Sequence, residues 1–214
     1  MVNDSAAAQP PPAHGSGPTG RGRPRDGRVD EAIAAATRAL LVEVGYPGTS
    51  LESVARRAGV ARTSIYRRWP SKAHLVYETV FTSVGPRTVP DTGDLEADLR
   101  TLVRAMIAEF GTPAAVAAAA GVLADFGADE GFRTVVREQF LAPVKQAVEL
   151  VLRSAAARGE LGDSVPVDTI SEALGGAVFF RCVVLGEPAD PGTAEDLVRL
   201  VLDGARAPGP RPSR

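Results

Sequence analysis

The chain has 214 residues, a formal net charge of −2, 44% apolar residues and only 5% aromatic ones. That length allows a sizeable core, organised as one small module with one larger domain or as one large domain, and an interior dominated by Ala, Val and Leu is that of close-packed helices rather than of a β-sandwich. The composition excludes a fibrous protein, and one cysteine, Cys182, excludes an internal disulfide and a Cys/His structural zinc site.

Residues 1–27 are rich in Ala, Pro, Gly and Ser with almost no large apolar side chains, so they are expected to form a disordered tail. Its end, Arg21-Gly22-Arg23-Pro24-Arg25, has the pattern of an arm that lays Arg21 and Arg23 in an A·T minor groove, and equally that of a plain solvated basic tail. The N-terminus lacks the charged start and apolar stretch of a secretory signal, and no run reaches about 18 apolar residues, so a cytoplasmic protein with no membrane partner is expected.

The first helix is predicted from Val29 to Val44, with Ile33, Thr37, Leu40, Leu41 and Val44 on one face and Gly45 as its stop. Thr49-Ser50-Leu51-Glu52 reads as a capping box between Thr49 and Glu52. A short helix follows with Leu51, Val54, Ala55 and Ala58 inward, then a turn at Gly59 and a third helix from Val60 to Trp69. Pro70-Ser71 ends that helix and caps a fourth, whose Leu75, Val76, Thr79 and Val80 share a face. Gly85-Pro86 to Gly93 reads as a loop.

Beyond the loop the patterns lengthen. Leu95, Leu99, Leu102, Val103, Met106, Ile107 and Phe110 recur at helical spacing. Thr112-Pro113 starts an Ala-rich helix that runs to Phe126. A long helix from Asp129 to Arg158 turns Phe132, Val136, Phe140, Val144, Val148 and Val151 inward, with Pro143 placed to kink it. Two last helices cover 167–185 and 193–206, and the tail from Pro208 is expected to be disordered. No strand pattern or internal repeat appears, so the fold class is all-α.

Charge is divided unevenly along the chain. Arg21 to Lys72 holds 11 Lys/Arg against 5 Asp/Glu, net +6, whereas Ala73 to Arg214 holds 13 against 20, net −7. A basic end joined to an acidic body is the pattern of a polyanion-binding module carrying a second function elsewhere. Within the basic end, two short helices joined at Gly59 and packed on a first helix make the sequence picture of a helix-turn-helix. The second must enter a major groove about 12 Å wide, so it needs an anchored inner face and a hydrogen-bonding outer one. Val60, Ile65 and Trp69 supply the first; Arg62, Thr63, Ser64, Tyr66 and Arg67 supply the second.

The run from Leu51 through Ala58-Gly59-Val60, Ile65-Tyr66, Trp69-Pro70 and Ser71-Lys72 resembles the signature of the tetracycline-repressor (TetR) family, and with the flanking helices the likeness covers about 29–84. Ala61, Trp69 and Ala73 depart from the residues most frequent at their positions in that family. The resemblance implies a helix-turn-helix domain at 28–84 and a ligand-binding and dimerisation domain at 94–206, between disordered tails at 1–27 and 207–214. It implies phosphate contacts from Tyr66, Lys72, Ser64 and either Thr49 or Ser50, and base contacts from Arg62, Thr63 and Arg67. It also implies a ligand pocket among the central helices, for which Met106, Phe110, Phe126, Phe140 and Phe179 are candidate liners, with Arg104, Asp125 and Arg181 as polar anchors; ordinary core packing is the alternative for each.

The same resemblance implies that the last two helices pair with their copies as a four-helix bundle. Leu174, Ala177, Val178, Leu197, Leu200 and Val201 are the candidate interface, and intramolecular core is the alternative for each. The implied partners are a near-palindromic double-stranded operator, an unidentified small-molecule effector and a second copy of the chain, with repression the family's majority habit. No cofactor, metal or catalytic residue is expected, because His14 and His74 stand apart from any Cys/His, Ser/His or metal constellation. Cys182, on an apolar face, reads as packing or as a redox sensor. A nucleoid-type binder without an effector is the rival reading; it would show neither an operator nor a need for so large a C-terminal domain.

Overall fold

The computed structural model describes residues 27–81, 91–161, 165–187 and 190–206. Arg21 and Arg23, nearly all of the expected N-terminal tail, most of the loop before Gly93 and residues 207–214 lie outside the described residues. Helices carry all the regular structure that is described: α1 (Gly27–Gly48), α2 (Leu51–Ala58), α3 (Arg62–Tyr66), α4 (Lys72–Val76), α5 (Leu95–Phe110), α6 (Pro113–Ala128), α7 (Glu130–Val136), α8 (Ala142–Ala157), α9 (Val167–Phe179) and α10 (Pro191–Arg206). Wide π turns extend α4 through Tyr77–Phe81, join α7 to α8 at Arg137–Leu141, and extend α9 through Phe180–Val184.

Three apolar clusters hold these helices together. Ile33, Val54, Ile65, Trp69 and Leu75 form the core of the N-terminal helices. Leu95, Leu99, Val103, Val148, Leu174, Val178 and Leu202 form the core of α5, α8, α9 and α10. The third cluster spans the two: Leu41, Tyr46, Val76, Tyr77 and Phe81 pack with Ala114, Ala115, Ala118 and Phe132. The far half of α4 therefore belongs to both halves of the molecule, and the expected division near the loop after it is not a division of the packing.

The caps expected at Ser71 and Thr112 form, and Asp94 and Asp129 supply two more. Ser71 caps α4, Asp94 caps α5, Thr112 caps α6 ahead of Pro113, and Asp129 caps α7, each accepting a hydrogen bond from a backbone N–H three residues on. The long helix predicted from Asp129 to Arg158 is interrupted by its π turn just before Pro143, which lacks the N–H that would have continued the ladder. The segment Arg158-Gly159-Glu160-Leu161 ties α8 to the start of α5. Glu160 accepts from the Leu95 N–H at 3.3 Å and from Arg158 at 2.6 Å, and Leu161 enters the core.

Four expectations need correction. The box at the start of α2 is formed by Ser50 and Ser53, not Thr49 and Glu52: the Ser53 N–H donates to Ser50 Oγ at 3.1 Å and the Ser50 N–H to Ser53 Oγ at 2.9 Å. The start of the helix lies one residue later than the pattern suggested, and serine at the third position serves as well as glutamate. Val44 is 51% exposed rather than inward, because the positive-φ break at Gly45 (φ 68°, ψ 178°) re-aims the chain and buries Tyr46 instead. The third helix shrinks to Arg62–Tyr66, with Ala61 offering no side-chain cap. Leu174 and Val178 are fully buried within the chain.

Candidate functional site

Gly59, in the left-handed conformation, turns the chain so that the Val60 N–H reaches the Ala55 carbonyl at 3.0 Å, which ends α2 and lets α3 set off in a new direction. Ile65 and Trp69 are buried beneath α3, and Val60 is half-buried. Arg62, Thr63, Tyr66 and Arg67 are exposed on its outer face, with Ser64 half-buried at its edge. Arg68 points the other way, paired with Asp30 and stacked 4.3 Å over Trp69, while Trp69 Nε1 donates to Glu78 at 2.8 Å. Of the three neighbouring arginines, Arg62 and Arg67 are thus available to a groove and Arg68 locks α1 to α3.

Glu52 stands inside this face. It accepts a hydrogen bond from the Tyr66 hydroxyl and pairs with Arg62 at 2.9 Å. These contacts, with Tyr66 the largest influence, hold its carboxyl near 2, well below the usual range. Sequence reasoning took Glu52 for a cap and missed that an acid sits among the cations. Thr49, one of the two alternative phosphate donors the resemblance implied, is 2% exposed, and its hydroxyl donates to the Gly45 carbonyl at 2.8 Å. Ser50 is half-buried, its hydroxyl engaged in the cap.

Lys72, the remaining candidate, opens a chain of contacts into the body of the molecule. Its Nζ donates to the Tyr46 carbonyl at 2.9 Å and lies 4.0 Å over the Tyr46 ring. The Tyr46 hydroxyl donates to the Asp125 carboxylate on α6, and burial together with Asp125 pushes the phenol far above its ordinary range. The ring lies directly on the α6 backbone at Gly121, where an added Cβ would stand 2.0 Å from Tyr46 Cδ1. A tyrosine immediately after a helix-ending glycine was the available signal, and only the tertiary contact gives it meaning.

The opposite side of α6 borders a cavity of about 240 Å³. Six aromatic side chains wall it: Tyr77, Phe81, Phe110, Phe126, Phe140 and Phe179. Phe110 is central, its ring edge-on to Phe140 at 5.8 Å and to Phe179 at 5.7 Å, and tilted against Phe81 at 6.0 Å. A second, more polar chamber of about 430 Å³ shares Phe110, Phe140 and Phe179 and adds Met106, Lys145 and Ser171. All five candidate liners therefore converge on these chambers, although Phe126 reaches only the first and Met106 only the second. Tyr77 and Phe81 were missed, since the sequence assigned them to the N-terminal domain. The suggested polar anchors are otherwise engaged: Asp125 with Tyr46, Arg104 with Glu195, and Arg181 with Glu187 at 3.6 Å.

Two families of known sequence match the chain. Residues 33–79 match the bacterial regulatory proteins of the tetR family, and residues 89–201 match the tetracyclin repressor-like C-terminal domain. The chain belongs to the TetR family. It is a DNA-binding transcriptional regulator of the helix-turn-helix type, in a family that does not consist of enzymes. It is 29% identical over 192 residues to the uncharacterized HTH-type transcriptional regulator YdeS of Bacillus subtilis, covering 87% of this chain and 94% of that one. It is 31% identical over 171 residues to the uncharacterized HTH-type regulator Rv1556 of Mycobacterium tuberculosis, covering 79% and 84%. The crystal structure of the TetR family transcription regulator SCO0332 superposes with a TM-score of 0.63 at 30% identity, covering 83% of this chain and 98% of that one.

TetR-family regulators bind DNA and small molecules and act as dimers. In this TetR-family chain α9, its π turn and α10 expose Phe180, Val184, Leu185 and Leu200, each more than half exposed, with Leu197, Val201 and Ala177 half-buried beside them. Leu174 and Val178 occupy the opposite side of α9, which corrects their expected place at an interface: residues four apart share a face, and theirs is the inward one. Among the described residues no single helix is long and apolar enough to cross a membrane, and no group of three or more His, Cys, Asp or Glu could hold a metal.

Proposed function

We propose that this regulator is a cytoplasmic, homodimeric repressor that binds a near-palindromic operator and leaves it when a small apolar molecule fills the aromatic cavity. The observation that carries the reading is the position of α6, which presents Gly121 and Asp125 to Tyr46 on one side and Val122 and Phe126 to the cavity on the other. Occupation of the cavity that shifts α6 must also move Tyr46 and Lys72, and with them the start of α4 and the attached α3. Arg62, Thr63 and Arg67 read base edges, and Tyr66, Ser64 and Lys72 hold phosphates. Two such faces on one dimer fix the half-site spacing, so an effector that alters their separation weakens operator binding. Operator binding must weaken the effector equally. The exposed apolar strip on α9 and α10 is the surface this reading assigns to the second copy.

Selection of bound sequences from random duplex DNA with the full-length protein at about 0.15 M salt tests it. An enriched inverted repeat is expected. Salt-sensitive binding without enrichment would overturn the reading in favour of a low-specificity nucleoid-type binder.

A further inference from the structure

Arg62 is the first residue of α3, and the first residues of a recognition helix are those that reach base edges. Its guanidinium does not stand alone there. Glu52, the second residue of α2, brings Oε1 to 2.9 Å from Arg62 Nη2, and the Tyr66 hydroxyl donates to the same oxygen. Both side chains of the ion pair are open to solvent, Arg62 at 66% and Glu52 at 37%. An acid in the first turn also suits the dipole of α2, but the dipole asks for no partner on α3. The carboxyl is ionised at neutral pH and can only accept hydrogen bonds. Its two oxygens offer about four acceptor sites, so capacity remains for a donor beyond Arg62 and Tyr66.

Base pairs follow one another every 3.4 Å or so along the duplex, about the separation of these two side chains. When Arg62 donates to O6 and N7 of a guanine, the Glu52 carboxylate stands at the edge of the neighbouring pair. An acceptor-only group is selective there. Guanine presents O6 and N7 and thymine presents O4, acceptors that repel a carboxylate. Adenine sets its N6 donor beside the N7 acceptor. Cytosine alone presents a donor, N4, with no acceptor beside it on its own major-groove edge.

We infer that Glu52 is a specificity-determining residue of operator recognition, accepting from N4 of a cytosine in the base pair next to the guanine that Arg62 reads. The inference rests on the reading of the outer face of α3 as the surface that meets base edges, and it adds a residue of α2 to that surface. It accounts for a carboxylate on a face that must approach a polyanion: the acid is kept for what it rejects as much as for what it binds.

Selection of bound sequences from random duplex DNA with full-length wild-type protein, Glu52→Gln and Glu52→Ala tests it, followed by Kd measurements with each of the four bases at the neighbouring pair. The wild type is expected to enrich an inverted repeat with cytosine next to guanine in each half-site. It should bind that sequence about tenfold or more tightly than the three single-pair replacements. Glutamine has a donor beside its acceptor and suits adenine N6 and N7, so Glu52→Gln should move the preference at that pair from cytosine to adenine. Glu52→Ala should level the four bases there to within about threefold. The guanine should persist in both variants. A carboxylate that merely propped Arg62 would instead lose the guanine and produce no switch to adenine. That result, a wild-type repeat lacking cytosine beside guanine, or a preference unchanged in both variants overturns the inference and leaves the operator-binding reading standing. If the wild type enriches no repeat, that reading falls as well. The wild-type selection decides the matter even if a variant fails to fold.

Discussion

Glu52 places a carboxylate between Tyr66 and Arg62 on the face that meets DNA, and operator phosphates must compete with it. Two effects oppose each other. The acid repels the polyanion, but it also holds Arg62 in one pose. Because the group is exposed and screened, the first should dominate nonspecific binding and the second should govern base choice. Glu52→Gln is therefore expected to raise affinity for arbitrary duplex DNA by roughly threefold to tenfold and to steepen the salt dependence by about one phosphate equivalent. It should narrow the gap between operator and non-operator DNA. Fluorescence anisotropy across a salt series measures all three; weaker nonspecific binding would mean that aiming Arg62 matters more than removing the charge.

At the scale of helices, the contact between the end of α1 and α6 joins the two functions. Gly121 has no tolerance there, since any Cβ would occupy the space of the Tyr46 ring. Gly121→Ala should cost about 1–3 kcal/mol through overpacking, lowering Tm in a chain of this size by roughly 3–10 °C; differential scanning calorimetry provides the value. Tyr46→Phe is a milder probe, keeping the ring under Lys72 but removing the hydroxyl from Asp125. Operator affinity should stay within about threefold of wild type, while release by an effector weakens, because α6 can then move without pulling on α1. Release undiminished in Tyr46→Phe would place the coupling elsewhere, for instance in the His74–Phe132 contact at 5.0 Å between α4 and α7.

For the whole molecule, Phe180, Val184 and Leu200 are large apolar side chains left more than half exposed on the last two helices, the surface proposed for the second copy. Phe180→Glu puts a charge at its centre without touching Leu174 or Val178 in the core. It should yield a folded monomer by sedimentation equilibrium. With the second half-site no longer tethered, operator affinity should fall by about a hundredfold or more. A variant that remains dimeric would exclude this strip as the interface.

The periodic apolar spacing, the caps at Ser71 and Thr112, and the helix-turn-helix run from Leu51 to Lys72 were all legible along the chain, because they depend on neighbours within a turn or two. The grouping of Met106, Phe110, Phe126, Phe140 and Phe179 came from the family resemblance and not from spacing, since periodicity says which side chains turn inward but not which of them border a cavity. What the order of residues could not show is which apolar residues meet their own chain and which meet another. Leu174 and Leu200 look alike in sequence, yet one is fully buried and the other 72% exposed. Nor could it show Tyr46 on Gly121 or Glu52 among the cations, for each depends on contacts between residues distant in the chain, and only the packed tertiary structure determines these.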